Sequence, residues 1–254
     1  MRQSSGIAVI GILVAFILAN CSRPANVVNP ALDAEMPRKI LWAWERAEDL
    51  NFIDPKEFGV AFLAQTIFLE NDRVIQKPRR QPFSVPDGTY LIAVTRVETN
   101  KEQPKRPTFD DEMLSRFTGL IAKTAEMPNI RGVQIDFDAA VSEREFYRKL
   151  INAVRDRTPK GVTLSITALA SWCAGDTWFN DFPIDEAVPM VFVMGRDQES
   201  ILSFLRRGRD WREPLCRGSY GISIDEPAVE GLQPDRRVYY FKNSAWKIED
   251  LSGR

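Results

Sequence analysis

Short β-prone segments alternate along this sequence with stretches of helical periodicity. The eight segments are Ile40–Glu45, Val60–Leu69, Tyr90–Glu98, Val133–Asp138, Thr163–Leu169, Ala187–Met194, Tyr220–Asp225 and Val238–Phe241. Several contain continuous apolar runs, which are typical of strands covered on both faces. Eight strands alternating with helices predict an α/β fold, a distorted (β/α)8 TIM-type barrel. An open α/β sheet is the alternative.

The stretches between these segments carry helix-start signals. Acidic residues at 110–112 suit a helix N-terminus. Ser142 and Glu145 form a capping-box pattern before a second helix, and Asp197 is able to cap a third. Residues 70–88 lack helical periodicity, and we expect a loop there. The first third of the barrel should therefore contain little helix.

The first 21 residues are typical of a lipoprotein signal peptide. Arg2 precedes an apolar run, Gly6–Ala19, which is shorter than the roughly 20 residues of a membrane-spanning helix. The run leads into Leu-Ala-Asn-Cys, which is similar to a bacterial lipobox and predicts lipid on Cys21. An uncleaved N-terminal anchor is the alternative. Residues 22–38 are expected to form a flexible tether, and residues 39–254 a single barrel domain.

Export would place the protein in the cell envelope, held by an N-terminal lipid anchor. In a Gram-negative cell this means the outer membrane or the periplasm, and Ser22 after the cysteine favours the outer membrane. Such compartments are oxidising, so the remaining pair, Cys173 and Cys216, is predicted to form a disulfide. Two buried free thiols are the alternative.

Composition excludes several classes of function. The chain contains no histidine, which excludes Ser-His-Asp and Cys-His nucleophile systems and histidine-bearing metal sites. Acid–base chemistry near neutral pH must then come from carboxylates. The net charge is −1, which argues against a nucleic-acid partner. Neither a calcium-loop pattern nor a phosphate-binding glycine loop is present, so we predict no metal and no cofactor.

The segment of residues 132–138, Gly-Val-Gln-Ile-Asp-Phe-Asp, carries the strongest chemical signal. Side chains alternate along a strand, so Gln134, Asp136 and Asp138 share one face. The outer face of a barrel strand must be apolar, and these polar side chains should therefore point inward. Asp138 lies nearest the C-terminal end, where barrel active sites form. Neighbouring buried carboxylates raise each other's pKa, which suits a general acid. A structural polar cluster or helix capping by Asp138 is the alternative.

This motif resembles the fourth-strand motif of family 18 glycoside hydrolases, the chitinases. The resemblance places Asp136 at the assisting aspartate and Asp138 at the catalytic glutamate, while Gln134 replaces the first aspartate. A broader resemblance covers nearly the whole mature chain. The segments WAWERAEDL, VAFLAQTIFL, GVQIDFDA, LSITALASWC, DEAVPMVFVMG and YGISIDEP are similar to domain-of-unknown-function family 3142, and they imply a glycoside-hydrolase-like barrel.

Other strand ends supply further candidates. Asp225 shares a face with Gly221 and Ser223 and should point inward as a possible second catalytic carboxylate. Its neighbour Glu226 should point outward, in a helix cap or salt bridge. Three additional side chains join Gln134 as candidates for substrate binding, namely Glu45, Glu98 and Trp172. A structural role remains open for Glu45 and Glu98. For Trp42 and Trp44, packing is favoured over sugar stacking.

Two hypotheses of function follow. In the first, the protein is a cell-envelope glycoside hydrolase-like enzyme that acts on a polysaccharide or glycan. Asp138 protonates the leaving oxygen and Asp136 orients it or stabilises charge. In the second, the barrel binds glycan or a protein partner without catalysis, and the substitutions at Gln134 and Asp138 favour this reading.

Overall fold

The computed structural model describes residues 35–253. The predicted signal peptide, Cys21 and residues 22–34 lie outside this range. The strands are β1 (Lys39–Ala43), β2 (Glu48–Asp49), β3 (Phe58–Glu70), β4 (Arg73–Pro78), β5 (Phe83–Ser84), β6 (Leu91–Thr99), β7 (Ile130–Asp136), β8 (Thr163–Leu169), β9 (Glu186–Met190), β10 (Ser219–Ser223) and β11 (Arg237–Phe241). Eight of them form a closed parallel barrel in the order β1-β3-β6-β7-β8-β9-β10-β11, because β1 pairs with both β3 and β11. The prediction of a distorted TIM-type barrel is confirmed.

The first third of the barrel is irregular, as expected, but residues 70–88 are not a simple loop. β3 stays paired with β6 but extends beyond its pairing with β1, and after a turn at Asn71 with φ +51° its free edge pairs antiparallel with β4. Asparagine tolerates this left-handed conformation better than most residues. β2 and β5 then form a separate two-stranded parallel sheet. The loop prediction was wrong because the long β3 supplies an edge on which a short polar strand can pair.

Within the described residues, α-helices occupy three of the connections between barrel strands. They are α1 (Asp111–Ala125), α2 (Arg144–Arg157) and α3 (Gln198–Arg206). Asp110 caps α1 by accepting the Met113 N–H at 2.8 Å. The N-cap of α2 is Glu143 rather than the predicted Ser142, because a 3-10 turn precedes the helix. Asp197 occupies the N-cap of α3, but its carboxylate makes no capping hydrogen bond.

Shorter turns complete the connections. A π-helical turn spans Trp172–Asp176, and 3-10 turns span Val141–Glu143, Gly195–Asp197, Pro214–Gly218 and Ile248–Leu251. The predicted disulfide between Cys173 and Cys216 is confirmed, with Cα atoms 5.9 Å apart and a sequence separation of 43 residues. It joins the turn after β8 to the turn before β10. No helix within residues 35–253 has the length and apolar character needed to cross a membrane.

The N-terminal end of the barrel is covered by the last residues of the predicted tether. Met36 is buried, and the Pro37 carbonyl accepts a hydrogen bond from Arg237 Nε at 3.0 Å. Glu35 forms an ion pair with Arg131. The described chain therefore enters the barrel at the end opposite to the C-terminal ends of the strands.

Candidate functional site

The alternation predicted for β7 is present in the structure. Val133 and Ile135 are buried in the core between the barrel and its helices. Gln134 and Asp136 lie on the opposite, inner face, where Gln134 bonds Trp42 and Asp136 bonds Thr167. The strand ends at Asp136, and the chain carries Asp138 onto the mouth of the barrel. The sequence pattern thus places both carboxylates at the C-terminal end, where barrel enzymes build their sites.

A cleft of about 380 Å³ opens at this end of the barrel. Its charged lining side chains are Arg96, Asp136, Asp138 and Asp197, and its aromatic ones are Trp42, Trp44, Phe192 and Phe241. Apolar walls with a few convergent polar groups are typical of a small-ligand site.

Asp136 is a buried carboxylate with weak compensation. Thr167 Oγ1 donates to its Oδ1 at 2.7 Å, and Arg96 Nη1 lies 3.7 Å from its Oδ2. Burial raises the pKa of Asp136 to about 6, and the neighbouring Asp138 charge adds to the rise. Asp136 therefore retains a proton in a pH range where an ordinary aspartate is ionised.

Asp138 stands at the mouth and is exposed. Loss of hydration in the cleft raises its pKa, while the positive charges of Arg96 and Lys101 oppose the rise. Lys101 is held by an ion pair to the buried carboxylate of Glu143. The same carboxylate accepts from Thr99 Oγ1 at 2.6 Å and from the Ala140 N–H at 2.7 Å. Glu143 thus ties the loop after β6 to the loop that follows Asp138.

Trp42 forms the floor of the cleft. Its Nε1 donates to Gln134 Oε1 at 2.8 Å, and its ring lies 5.2 Å from the ring of Tyr239. Gly221 makes room for the indole, because a Cβ there would lie 2.7 Å from Trp42 Cη2. The position of the Trp42 ring therefore depends on its hydrogen bond to Gln134 and on the absence of a side chain at Gly221.

The remaining aromatic side chains form one wall of the cleft, next to Trp42 at its floor. Phe192 and Phe241 stack with centroids 5.2 Å apart and planes at 9°. Trp44 meets Phe241 edge-on at 6.1 Å, and the Arg96 guanidinium lies 5.7 Å from the Trp44 ring. Because the rings support one another, the wall is a rigid apolar surface beside the carboxylates.

Two of the substrate-binding candidates are buried away from the cleft. Gln134 is fully buried, and its Nε2 donates to Ser165 Oγ at 3.2 Å, so it supports the floor from below. Trp172 packs edge-on against Trp178 at 5.2 Å in the outer core. The expectation for the tryptophans is reversed, since Trp42 and Trp44 line the cleft and Trp172 does not.

The other predicted carboxylates lie outside the cleft lining. Glu98 accepts from Arg96 Nε at 3.0 Å, an ion pair that fits the structural role left open for it. Glu45 is exposed and accepts from Thr66 Oγ1 at 3.4 Å. Asp225 is exposed and accepts the Asn243 N–H at 2.6 Å. β10 ends at Ser223, so the alternation that would have turned Asp225 inward stops before it.

Sequence reasoning missed five polar residues of the cleft lining, namely Arg96, Thr167, Ser171, Asp197 and Asn243. Arg96 and Thr167 contact Asp136 from the two neighbouring strands, and strand alternation in β6 and β8 could have found them. Asp197 was assigned to helix capping, but it lines the cleft. Within residues 35–253, no group of three or more His, Cys, Asp or Glu side chains could hold a metal ion.

Comparison with known proteins gives a matching family and a similar solved structure. A family model described as Domain of unknown function (DUF3142) matches residues 87–219, which include Asp136, Asp138 and both bonded cysteines. A similar solved structure is the Bacillus cereus spore cortex-lytic enzyme SleL. It has 17% sequence identity and a TM-score of 0.48, and the match covers 74% of this chain and 51% of that chain. The chain thus spans about half the length of that enzyme. No curated protein matches it.

Proposed function

The chain belongs to the Domain of unknown function (DUF3142) family, and on that premise we propose that it is a glycoside hydrolase-like protein that cleaves a polysaccharide or glycan. The observation that carries the proposal is the pair of carboxylates, Asp136 and Asp138, in an aromatic-walled cleft at the C-terminal end of the barrel. Both have a raised pKa, and glycoside cleavage needs a carboxylic acid that keeps its proton near neutral pH.

The proposed chemistry is general acid catalysis. Asp138 gives its proton to the leaving glycosidic oxygen as the C–O bond breaks, and water adds to the anomeric carbon. Asp136, which Thr167 and Arg96 hold in place, orients Asp138 or stabilises the positive charge that develops on the sugar. Asp225 lies outside the cleft lining, so we assign activation of the water to Asp197, the third lining carboxylate.

The aromatic wall supplies the binding surface in this proposal. A pyranose ring presents C–H faces that pack on aromatic rings, and Trp44 and Phe241 are fixed side by side at the cleft. Rings that are already held in place lose little conformational freedom when a sugar binds.

Glycan binding without catalysis is the second candidate, and a specific contact favours it. Gln134 is committed to Trp42, so no third carboxylate stands behind Asp136 to complete the row found in the chitinase motif. Asp138 also reaches one methylene less far than a glutamate would. A protein that kept the cleft and lost turnover would show both features.

We further propose that the protein is an envelope lipoprotein. The Leu-Ala-Asn-Cys sequence supports lipid on Cys21, and the Cys173–Cys216 disulfide is what an oxidising compartment permits. Expression of the wild type and Cys21→Ser in the host, followed by detergent partition, tests this. The wild type should enter the detergent phase and the variant should not. Equal partition of both would argue for an uncleaved anchor.

The activity itself is tested with a panel of defined glycans. Peptidoglycan strands, β-1,4-linked N-acetylglucosamine oligomers, β-1,4-linked glucose oligomers and polyuronates are incubated with the full domain. New reducing ends report cleavage, and calorimetry reports binding. New reducing ends support the enzyme, and binding without cleavage supports the second candidate. Neither signal with any member of the panel would count against a glycan-directed function.

A further inference from the structure

The connection between β9 and α3 forms one rim of the cleft. Its residues Phe192, Val193, Met194 and Asp197 line the cleft. Val193 is 78% exposed, which makes it the most exposed large apolar side chain of residues 35–253. An apolar side chain that is exposed to this extent contributes little buried area to the fold.

The backbone of Val193 is also unfavourable. Its φ is +49°, in the left-handed region. A β-branched residue is a rare outlier there, because its Cβ crowds the following carbonyl oxygen. Two residues later the same connection uses a glycine, Gly195, for its next positive φ of +56°. A glycine at position 193 would adopt the required backbone more easily.

The surrounding contacts hold Val193 in this conformation. Glu226 Oε1 accepts the Val193 N–H at 3.0 Å, so the carboxylate that we expected in a helix cap or salt bridge fixes this rim. On one side, Phe192 is stacked on Phe241, and the Val191 N–H bonds the Gly221 carbonyl at 2.7 Å. On the other side, the Asp197 N–H bonds the Met194 carbonyl at 3.2 Å. Strain that the surroundings maintain in this way is characteristic of functional positions.

We propose that Val193 is a substrate-contacting residue that determines specificity, its methyl groups packing on the C–H face of an uncharged pyranose unit in the cleft. This inference rests on the proposed function and deepens it by naming the part of the glycan that the rim contacts. The same rim carries Asp197, whose carboxylate disfavours an anionic sugar at this position.

Two variants of Val193 separate contact from strain. Val193→Gly removes the side chain and the backbone strain together. Val193→Thr keeps the shape and the β-branch but exchanges one methyl group for a hydroxyl. Val141→Gly is the matched control, because Val141 is 76% exposed, has no positive φ and does not line the cleft.

The measurements are Tm and the Kd, or KM where cleavage occurs, for neutral β-1,4-linked tetrasaccharides of glucose and N-acetylglucosamine. A galacturonic acid tetramer is the anionic comparison. We expect Val193→Gly to keep or raise Tm and to raise the Kd for the better neutral probe about tenfold. Val193→Thr should weaken binding in the same direction without raising Tm. The Val141→Gly control should leave Kd unchanged.

Several results would overturn the inference. Unchanged Kd in both Val193 variants would show that the side chain makes no contact. Weaker binding in Val193→Gly alone would show that affinity depends on the rigidity of the rim and not on contact with the methyl group. A larger fall of Tm in Val193→Gly than in Val141→Gly would assign Val193 to the fold. Tighter binding of the galacturonic acid tetramer would refute the uncharged pyranose. If the wild type binds none of the probes, the proposed function fails first, and this inference fails with it.

Discussion

The two ends of the barrel interior both bury a carboxylate, and they treat it differently. At the N-terminal end, Glu186 is 6% exposed, and its two oxygens accept from Arg237 Nη1 at 2.9 Å and from the Tyr239 hydroxyl at 2.8 Å. At the C-terminal end, Asp136 is 7% exposed and accepts a side-chain hydrogen bond from the Thr167 hydroxyl. The Arg96 guanidinium lies 3.7 Å away, and the carboxylate of Asp138 is close by.

This difference separates a well-compensated buried carboxylate from a poorly compensated one. A buried carboxylate with a cation and a hydroxyl on its two oxygens is compensated for part of the hydration that it loses. A buried carboxylate with weak compensation takes up a proton instead, and its pKa rises. In barrels of this kind the N-terminal end serves stability and the C-terminal end serves chemistry. The prediction from this contrast is that variants at one end lose activity and variants at the other end lose stability.

Asp138→Asn should give the largest effect. If Asp138 is the general acid, turnover of a cleaved glycan falls by about 10²–10⁴-fold, because the nearly isosteric amide cannot give up a proton. The melting temperature should stay within a few degrees of wild type. Asp225→Asn is the control, an exposed carboxylate outside the cleft lining, and should retain activity. Full activity in Asp138→Asn would remove Asp138 from the mechanism.

Arg237→Met tests the other end. Removing the guanidinium leaves Glu186 buried without its cation, which should lower the free energy of unfolding by about 3–5 kcal/mol. Activity per folded molecule should not change. Arg131→Met is the control, because Arg131 and Glu35 form an exposed pair worth about 0–1 kcal/mol. Denaturant unfolding of the three proteins gives the comparison, and equal loss in both variants would show that burial of the pair does not matter.

Asp136→Asn should change how stability depends on pH. The folded pKa of Asp136, about 6, lies above the ordinary value of 3.8, so its contribution to stability is present below pH 3.8 and is lost as pH rises through 6. At 1.36 kcal/mol per pKa unit this contribution is about 3 kcal/mol. The neutral asparagine lacks this contribution. The free energy of unfolding of the variant, relative to that of wild type, should therefore increase between pH 3.8 and 7.

The matched control for that experiment is Asp110→Asn, which should show the opposite sign. The Met113 N–H holds the pKa of Asp110 below its usual value, so its contribution is present above pH 3.8 and is lost as pH falls. Unfolding curves recorded across this range check both variants. A pH-independent difference between Asp136→Asn and wild type would mean that Asp136 is ionised in the folded protein.

Arg96→Gln should give the smallest effect. Arg96 lies 3.7 Å from Asp136, is partly exposed and is shared with Glu98, so water screens much of its charge. Its removal should raise the pKa of Asp136 and of Asp138 only slightly. Titration of the carboxyl carbons by NMR measures this. A larger rise would show that Arg96 is the main compensation for the carboxylate pair.

Strand alternation made most of the barrel predictable from the sequence. All eight barrel strands overlap the expected segments, and the inward set on β7 follows from a period of two. The antiparallel β4 and the end of β10 at Ser223 were not predictable in this way. Both depend on where hydrogen-bond partners stop, which is a property of the neighbouring strands and not of the segment itself.

The tryptophans show the same limit at the site. Trp42 and Trp172 have similar local contexts, each near the end of an apolar strand. Trp42 reaches the cleft because Gly221, distant in sequence, leaves space for its ring and Gln134 accepts its N–H. Trp172 packs against Trp178 and Phe179, which follow its turn in the chain, and is buried. The local sequence around Trp42 could not reveal its place in the cleft, since the neighbours that decide it lie on other strands.

The sequence by itself determined the barrel, the disulfide and the face on which Asp136 and Asp138 lie, because these follow from the period of strands, from cysteine parity and from side-chain alternation. Strand alternation could have indicated that Arg96 and Thr167 point inward, but tertiary structure alone decided that they contact Asp136. It also decided that Asp197 lines the cleft while Asp225 does not. It also decided that Asp136 is buried with weak compensation. These outcomes depend on which side chains come together when the strands close into a ring. These side chains are distant in sequence, so no single segment predicts which of them will be neighbours.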